Sequence, residues 1–395
     1  MKHIVLAFSG GLDTSFCTAY LTNKNVSVHT VTVNTGGLTS EELKIIANQS
    51  KAVGASSHTE IDAKENVYKD FISTLIRGNI LRGNIYPMSV SAERTQQAIE
   101  VAKVAHDIKA DAVAHGSTGA GNDQIRFDIA FAVLLPGIPI ITPIRELGLT
   151  REKTAEFLTI AGLPVPETQY SINKGIWGTT FGGGWTHDPW EAYPEGTFFK
   201  PTRTLAKSIM DITITWDKGL PHALNNNPMN GPELIEALNV ITQEWGIGYE
   251  VHLGDTALGI KGRIGFHAGA ALMLIQAHRE LEKLVLTHQQ SFWKDHLANF
   301  WGNQLHIGQI FDPVMQDIQA MINSSQKNVI GITRIQLRPG HFHVTGIRSS
   351  YSLLDTKVAK YGEDNKLWTG EEARAFAKIS AIPSLLAYKK GNHDY

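Results

Sequence analysis

Short apolar runs recur through the first part of the chain, at residues 4–8, 26–33, 111–115 and 138–141. The first of them, Ile4 to Phe8, is apolar at every position, which is typical of a strand buried on both faces. Runs of this length that are bounded by glycine or polar residues favour strands over helices. The pattern therefore predicts a series of buried strands within the first 165 residues.

Stretches with helical spacing separate these runs. Positions 101, 104, 105 and 108 are apolar and fall on one helical face, and Thr39 with Glu42 predicts a capping box at the start of another helix. Strands that alternate with helices predict a doubly wound parallel sheet of the α/β class. Such sheets bind ligands at the carboxyl ends of their strands. We therefore expect segments 9–15 and 115–123, each of which follows a strand, to share one site.

The segment from Leu163 to Pro166 contains two prolines and marks a domain boundary. We expect an α/β domain over residues 1–165 and a mixed α+β domain over 166–365. The tail, 366–395, is expected to carry a helix with an apolar stripe between residues 370 and 390.

Composition narrows the class of protein. The 36 basic and 38 acidic side chains give a net charge of −2, without a basic run that would predict a nucleic-acid partner. No apolar stretch reaches the roughly 18 to 20 residues of a membrane helix. The single cysteine, Cys17, excludes an intrachain disulfide and a cysteine-based metal cluster, and His341 and His343 have no third ligand at useful spacing. We expect a cytoplasmic protein that has no resident metal and binds neither nucleic acid nor membrane.

The segment from Ser9 to Ser15 reads Ser-Gly-Gly-Leu-Asp-Thr-Ser and joins the first strand to a helix that begins near Thr14. Glycines allow the backbone to approach a phosphate, and a helix N-terminus presents free N–H groups to an anion. The lysine of a Walker A loop is absent. The segment therefore predicts a phosphate-binding loop of a different type.

The segment from His115 to Asp128 has glycines among hydroxyl groups, followed by Asn122, Asp123 and Arg126. An amide, a carboxylate and a guanidinium this close together suit an amino-acid substrate, whose carboxylate and ammonium need partners of opposite charge. A solvated loop that leads into an ordinary charged helix is the alternative interpretation.

Here the sequence resembles the argininosuccinate synthases. The first segment is similar to their Ala-Tyr-Ser-Gly-Gly-Leu-Asp-Thr-Ser motif, with Phe8 in the place of the tyrosine. The second is similar to their His-Gly-x-Thr-Gly-x-Gly-Asn-Asp-Gln-x-Arg-Phe-Glu motif. This pair is specific to the family among N-type ATP pyrophosphatases. Weaker likeness covers nearly the whole chain, through residues 164–166, 170–171, 177–178, 259–263 and 346–354.

The resemblance implies a reaction and an organisation. In the family, the ureido oxygen of citrulline attacks the α-phosphorus of ATP, with Mg²⁺ on the phosphates, and the amine of aspartate then displaces AMP. Residues 1–165 would be the ATP pyrophosphatase domain and 166–365 the synthetase and multimerisation domain. Residues 366–395 would carry an oligomerisation helix of a homotetramer that works in arginine biosynthesis.

The resemblance also implies roles for single residues. Catalytic roles fall on Asp13, Asp123 and Arg126. Residues implied to hold ATP are Ala7, Phe8, Ser9, Gly10, Gly11, Leu12, Asp13, Thr14, Ser15, His115, Gly116 and Ser117, within the wider segments 7–15 and 114–122. Residues implied to hold aspartate or the ureido substrate are Tyr86, Ser91, Arg94, Thr118, Asn122, Asp123, Arg126, Ser171, Thr180, Asp255 and Phe266.

The sequence departs from the family where the ureido substrate would bind. The family pattern Tyr-x-Leu-Gly-Thr-x-Leu-Ala-Arg is changed over residues 86–94, and the Ser-x-Glu that follows Trp177-Gly178 becomes Thr-Phe-Gly over 180–182. A family Val-Glu-Asn, whose glutamate helps to hold the α-ammonium of citrulline, matches Leu-Gly-Asp over 253–255. A substrate tyrosine becomes Phe266.

Two explanations of these changes stay open. Asp255 replaces the missing carboxylate and citrulline is the substrate, or the α-nitrogen carries no charge because it is acylated, as in N-acetyl- or N-succinyl-citrulline. Loss of these groups would weaken the binding of an α-ammonium, because a hydrogen bond to a charged group contributes about 1.5 to 3 kcal/mol. Two other functions are also open: a tRNA-thiolating ATP pyrophosphatase, and a catalytically silent sensor of adenine nucleotides.

Overall fold

The computed structural model describes residues 2–119, 121–166, 171–194, 209–360, 362 and 367–391 of the 395-residue chain. The strands are β1 (His3–Ala7), β2 (Ser27–Asn34), β3 (Ser57–Asp62), β4 (Ala112–Ala114), β5 (Ile140–Ile141), β6 (Ser171–Gly175), β7 (Gly178–Gly182), β8 (Met210–Asp217), β9 (Leu220–Leu224), β10 (Asn227–Pro228), β11 (Tyr249–Asp255), β12 (Lys261–His267), β13 (Gly331–Arg338) and β14 (His341–Arg348).

The α-helices are α1 (Leu12–Thr22), α2 (Ser40–Ala52), α3 (Lys64–Val67), α4 (Ser73–Arg77), α5 (Ser89–Asp107), α6 (Asp123–Leu134), α7 (Pro143–Leu147), α8 (Arg151–Ile160), α9 (Gly231–Glu244), α10 (Gly269–Val285), α11 (His288–His306), α12 (Val314–Ser325), α13 (Gly370–Ser380) and α14 (Ile382–Gly391). A π-helical turn spans Tyr68–Ile72, and 3-10 turns span Gly184–His187 and Gln326–Asn328.

The first part of the chain folds around a five-stranded sheet in the order β3-β2-β1-β4-β5, and every pair in it is parallel. One apolar core on this sheet includes Leu6 and Phe16, and the other includes Val5 and Phe131. Leu6 and Val5 are neighbours on β1, so their side chains point to opposite faces of the sheet. The predicted doubly wound α/β fold is confirmed.

The second part contains two antiparallel sheets, ordered β10-β9-β8-β13-β14 and β11-β12-β7-β6. The buried helix α10 packs between these elements and contributes Leu274 and Leu281 to the largest apolar core. Phe266 of β12 and Trp177, at the turn between β6 and β7, belong to the same core. The mixed α+β architecture predicted for this part is confirmed.

Local signals in the sequence correspond to real elements. Thr39 caps α2 in a full capping box with Glu42, as predicted. The first strand ends at Ala7 rather than at Phe8, but the N–H of Phe8 still donates to the carbonyl of Val31 at 2.8 Å. The backbone therefore stays paired up to the point at which the phosphate-binding loop begins.

Residues 1–351 form one compact unit and residues 352–395 a second one. The predicted boundary near residue 165 lies inside the first unit and stays a prediction. In the second unit, the predicted tail helix is two helices, α13 and α14, which meet at Ala381 just before Pro383. Proline is tolerated in the first turn of a helix but not in its interior. No helix within the described residues is both long and apolar enough to cross a membrane.

Candidate active site

A cavity of about 800 Å³ opens at the carboxyl edge of the parallel sheet, within the first unit. It lies in the size range of small-molecule sites, roughly 300 to 1,000 Å³. The ends of β1, β2 and β4 form its floor, and side chains of α5, α6, β6, β11 and β12 form its walls. The two segments that were expected to share a site both line this cavity.

The loop after β1 is held by its own hydroxyl groups. Thr14 donates to the carbonyl of Gly11 at 3.2 Å, and the hydroxyls of Ser9 and Thr14 lie 3.3 Å apart. The N–H of Gly11 donates to Ser9 Oγ at 3.4 Å. Gly10 has a φ of +75°, which places it in the left-handed region that favours glycine. Contacts within the loop itself therefore hold its shape.

Helix α1 begins at Leu12 without a side-chain cap, so its first N–H groups are available to an anion. Asp13 lies in this first turn and lines the cavity. Burial raises the pKa of Asp13, and the positive charge of Arg151 partly offsets this. Arg151 also lines the cavity, so a phosphate in this loop would meet backbone donors on one side and a guanidinium on the other.

Most residues expected to hold ATP line the cavity, namely Ala7, Phe8, Ser9, Gly11, Leu12, Asp13, Thr14, His115, Gly116 and Ser117. Gly10 and Ser15 do not. Gly10 lies against Ile46, where a Cβ would be 2.9 Å from Ile46 Cγ1. Ser15 is fully buried and accepts a hydrogen bond from Gln49, because the turn of α1 points it into the core. The ATP contacts expected of these two residues stay predictions. Ala120, in the wider segment, lies outside the described residues.

The loop after β4 is anchored through His115. Its Nδ1 accepts from the N–H of Ser117 at 3.2 Å, so Nε2 carries the proton and donates to Asp128 at 2.9 Å. Asp128 is also paired with Arg145 at 2.6 Å. Burial alone would raise the pKa of Asp128, but the hydrogen bonds from His115 and Arg145 outweigh burial and lower it. His115 therefore positions the loop in addition to lining the cavity.

Asp123, at the start of α6, is held between two guanidinium groups. Its Oδ1 lies 3.0 Å from Arg126 Nη1 and its Oδ2 lies 3.0 Å from Arg94 Nε. Arg94 also donates to Gln97 at 2.7 Å and to Asn173. Charge-assisted contacts of this kind fix geometry as well as sign. All of these residues line the cavity.

Arg126 is buried, with only 3% of its surface exposed. It donates to Ser91 Oγ at 3.0 Å and to the backbone carbonyl of His306 at 3.0 Å. Burial lowers the pKa of Arg126, while the Asp123 carboxylate raises it. Guanidinium groups keep their charge in proteins. A fixed positive charge therefore faces the cavity beside the Asp123 carboxylate.

Tyr86 forms an aromatic wall of the cavity. Its ring stacks on His252, with centroids 5.4 Å apart, and meets the edge of Phe266 at 5.3 Å. Its hydroxyl accepts from the N–H of Val90 at 3.2 Å. Burial raises the pKa of Tyr86, so the phenol is a neutral hydrogen-bonding group.

The remaining residues expected to hold substrates fall into two groups. Thr118, Asn122, Ser171 and Asp255 line the cavity, whereas Ser91, Thr180 and Phe266 do not. Ser91 supports Arg126, and Thr180 is buried behind Asn173, whose amide lies 3.5 Å from the hydroxyl. Phe266 is fully buried because it packs into the apolar core behind Tyr86. The substrate contacts expected of these three residues stay predictions.

Two family models cover almost the whole chain. The arginosuccinate synthase N-terminal HUP domain matches residues 3–164, and the arginosuccinate synthase C-terminal domain matches residues 170–387. The chain belongs to the argininosuccinate synthase family. The predicted resemblance is confirmed.

Curated relatives of this family match over their full length. The argininosuccinate synthase of Dictyoglomus thermophilum is 35% identical, and the match covers 100% of this chain and 99% of that relative. That of Xanthomonas axonopodis pv. citri is 36% identical, covering 98% of this chain and 94% of the relative. That of Sulfurisphaera tokodaii is 36% identical, covering 97% and 98% respectively.

A solved structure of a predicted tRNA methyltransferase subunit from Methanocaldococcus jannaschii matches with a TM-score of 0.29 and 17% identity, over 40% of this chain and 76% of its own. A likeness this weak has no bearing on the fold or the function.

Several side chains of this family member line the cavity although no sequence pattern singled them out as ligands. They are Val31, Thr32, Val33, Asn34, Thr35, Glu93, Gln97, Asn173, Lys174, His252, Arg263 and His306. The residues from β2 were foreseeable, because β2 was predicted and its carboxyl end must join the same edge. Arg263 lies in a segment whose likeness to the family was noted without a role. Glu93 lies in the changed segment 86–94, and Asn173 and Lys174 follow Ser171 closely, but no spacing marks these residues or the remaining ones as ligands.

Proposed function

We propose that this protein is an ATP-dependent, AMP-forming ligase of arginine biosynthesis. It condenses aspartate with the ureido group of citrulline or of an N-acylated citrulline and releases AMP and pyrophosphate. One observation carries the proposal: in a chain of this family, the phosphate-binding loop and the Asp123–Arg126 pair line a single cavity. A nucleotide and two amino-acid substrates can therefore meet there.

The first step would join the ureido oxygen to the α-phosphorus of ATP and break the bond to the bridging oxygen, so that pyrophosphate leaves. The chain contributes positioning and neutralisation of charge. The free N–H groups at the start of α1 and the Arg151 guanidinium suit the departing phosphates. Adenylation makes the ureido oxygen a good leaving group.

Mg²⁺ would accompany ATP. No group of three or more metal-ligating side chains occurs among the described residues, but Asp13 offers one carboxylate beside the loop. One carboxylate together with phosphate oxygens is a common way for proteins to hold Mg²⁺. When bound, the ion would neutralise phosphate charge.

In the second step, the amine of aspartate would attack the ureido carbon and AMP would leave with the former ureido oxygen. Asp123 suits the ammonium of aspartate, and Thr118 and Asn122 suit its polar groups, since all three line the cavity. Asn122 Oδ1 already accepts from the N–H of Ala257 at 2.7 Å, which fixes the orientation of the amide. Its NH₂ group remains able to donate.

The wall facing the head group of the ureido substrate supports the acylated form. Asp255 was one candidate for the α-ammonium, but its carboxylate is ion-paired with Lys261 at 2.5 Å and is half exposed. Burial, and then the charge of Arg82, lower the pKa of His252, so this imidazole is an uncharged part of the wall and cannot replace a carboxylate as the partner of an ammonium. A neutral α-nitrogen fits this wall better than an ammonium.

A substrate comparison tests this point. At fixed ATP and aspartate, pyrophosphate release is followed with citrulline, N-acetyl-citrulline and N-succinyl-citrulline. We expect the acylated compounds to have the higher kcat/KM. A clear preference for free citrulline would assign the plain synthase reaction instead.

A tRNA-thiolating enzyme and a silent nucleotide sensor are the two alternative functions, and each would need different properties of the chain. A tRNA-thiolating enzyme of this class commonly needs a reactive cysteine, yet Cys17 is buried and its pKa is raised to about 12 by burial. A silent sensor would bind ATP without turnover. Formation of AMP and pyrophosphate only when aspartate and a ureido compound are both present would argue against both.

We also propose a cytoplasmic homotetramer whose tail, residues 366–395, reaches a neighbouring copy, with a domain boundary near residue 165. Helix α11 exposes Phe292, Trp293 and Phe300 by 44%, 56% and 43%, which suits a contact surface. Light scattering of the full chain tests the tetramer, and a monomer at working concentration would contradict it.

A further inference from the structure

Glu93 is a buried carboxylic side chain that faces the cavity without a full set of partners. It lies on α5, is 3% exposed and lines the cavity. Its Oε1 has no hydrogen-bond partner within the described part of the chain. Buried polar atoms are nearly always paired, so an unpaired one in a binding cavity indicates a ligand that supplies the partner.

The backbone opposite Glu93 is shaped to admit this side chain. Gly175, at the end of β6, lies so close that any side chain there would overlap the Glu93 carboxyl group. The neighbouring residue, Ile176, is held by a 2.9 Å hydrogen bond from its N–H to the carbonyl of Thr35. The carboxyl group therefore packs against this backbone and has little freedom to rotate.

The nearest cation does not compensate for burial. Burial raises the pKa of Glu93 well above its ordinary value, and the charge of Arg94 and a hydrogen bond from the backbone of Trp177 offset this only in part. The guanidinium of Arg94 is already bound to Asp123, Gln97 and Asn173. Burial therefore favours the protonated form of Glu93, which has one O–H donor and acceptor oxygens.

The position of Glu93 points to one of the substrates. Glu93 lies near Tyr86, and the side chain of Arg94, the next residue, binds Asn173. Tyr86 and Asn173 both line the cavity. In the proposed reaction, Tyr86 belongs to the wall that receives the head group of the ureido substrate.

We propose that Glu93 determines specificity for the ureido substrate by hydrogen-bonding to the polar atoms around its α-nitrogen. This inference rests on the proposed function and extends it to a residue of this chain. A neutral acid can both donate to an acyl carbonyl and accept from an amide N–H.

The test uses three variants and a matched control. Glu93→Leu keeps the volume without hydrogen bonding, Glu93→Ala removes the side chain, and Glu93→Gln keeps a neutral hydrogen-bonding group. The control is Glu100→Gln on the same helix, since Glu100 is buried but bonds to Asn66, Gln96 and Lys103 instead of lining the cavity. KM is measured for ATP, for aspartate and for the preferred ureido substrate, with a thermal unfolding midpoint for each protein.

We expect Glu93→Leu and Glu93→Ala to raise KM for the ureido substrate about tenfold and to leave KM for ATP and aspartate unchanged, as for loss of one buried hydrogen bond. Glu93→Gln should stay close to the wild type, and Glu100→Gln should change no KM. Unchanged KM values in a folded Glu93→Leu protein would overturn the inference, as would a Glu93→Gln protein as impaired as Glu93→Ala. If the wild-type chain releases no pyrophosphate with any ureido compound, the proposed function fails first and this inference falls with it.

Discussion

The side of the cavity proposed to bind the nucleotide (the nucleotide side) is built mainly from backbone. The side proposed to bind the ureido substrate (the ureido side) is built from side chains. On the first side, a short loop and the start of α1 supply N–H donors, and hydroxyls of the loop itself hold its shape. On the second side, Tyr86, His252 and His306 come from segments far apart in the sequence. The first side needs only a contiguous motif, while the second needs the complete fold.

This difference fits the positions at which the sequence departs from the family motifs it resembles. A backbone loop keeps its chemistry as long as its glycines and hydroxyls are kept, and here they are. A wall of side chains can be altered residue by residue to suit a different head group. The paired Asp255, the neutral imidazoles and the buried Glu93 all lie on that side.

The largest effect is expected where the two sides meet, at Arg126. Arg126→Ala removes a buried cation that holds Asp123 and Ser91. Loss of charge-assisted hydrogen bonds costs about 1.5 to 3 kcal/mol each, so kcat/KM should fall by about a hundredfold or more. The rate of pyrophosphate release at several substrate concentrations measures kcat/KM. Arg338→Ala on β13, where the guanidinium bonds Gln336 away from the cavity, should leave kcat/KM unchanged; equal losses in both variants would refute a specific role for Arg126.

A smaller and more selective effect is expected on the nucleotide side. Gly10→Ala forces an alanine to a φ of +75° and sets its Cβ against Ile46. The left-handed conformation costs about 1 to 2 kcal/mol, so KM for ATP should rise roughly ten-fold while KM for the ureido substrate stays the same.

Gly137→Ala is the control, because it has the same unfavourable backbone conformation, with a φ of +83°, but open space around it. It should lower the unfolding midpoint without changing KM for ATP. An unchanged KM in Gly10→Ala would mean that the loop does not grip the nucleotide.

On the ureido side, Asp255→Asn should have little effect. The carboxylate is exposed and paired with Lys261, and exposed pairs contribute about 0 to 1 kcal/mol. We expect less than about a fivefold change in KM for any ureido substrate. A much larger rise in KM for free citrulline alone would show that Asp255 binds the α-ammonium.

The smallest effect on KM is expected for His306. Burial, followed by the charges of Arg126 and Arg82, lowers its pKa to about 3, and its Nε2 donates to the Asp255 carbonyl at 3.1 Å. The imidazole should stay neutral from pH 8 to pH 5.5, so wild type and His306→Asn should show the same shape of KM against pH. An inflection near pH 6.5 that disappears in the variant would contradict this.

The same residue links stability to pH. The unfolded chain protonates His306 below its ordinary pKa of about 6.5, whereas the folded chain does so only near 3. The unfolded state therefore gains protons as the pH falls. Relative to His306→Asn, the wild type should lose up to about 1.4 kcal/mol of unfolding free energy for each pH unit below 6.5. Urea unfolding at several pH values measures this difference.

Contiguous features could be predicted from the sequence, and features assembled by packing could not. The parallel sheet, the loop at Ser9 and the Asp123–Arg126 pair each follow from a local pattern and its neighbouring strand. Ser15 was expected to bind ATP because it lies in the motif, yet the turn of α1 points it into the core. Side-chain direction depends on where the helix begins, and the motif alone does not specify that.

Phe266 and Glu93 show the limit on the ureido side. Phe266 was expected to contact substrate because of the position it matches, but it packs behind Tyr86. Glu93 was noted only as part of a changed segment. Its burial and its unpaired oxygen depend on Gly175, 82 positions away in the sequence. No periodicity links two such residues, so only the folded chain brings them together.

The central claim is that the ureido oxygen attacks the α-phosphorus of ATP in this cavity. The most direct measurement uses a ureido substrate labelled with ¹⁸O, together with ATP and aspartate, and locates the label by mass spectrometry. The account predicts the label in AMP, with pyrophosphate unlabelled and no ADP formed. Label that appears in inorganic phosphate, or unlabelled AMP formed in step with product, would contradict it.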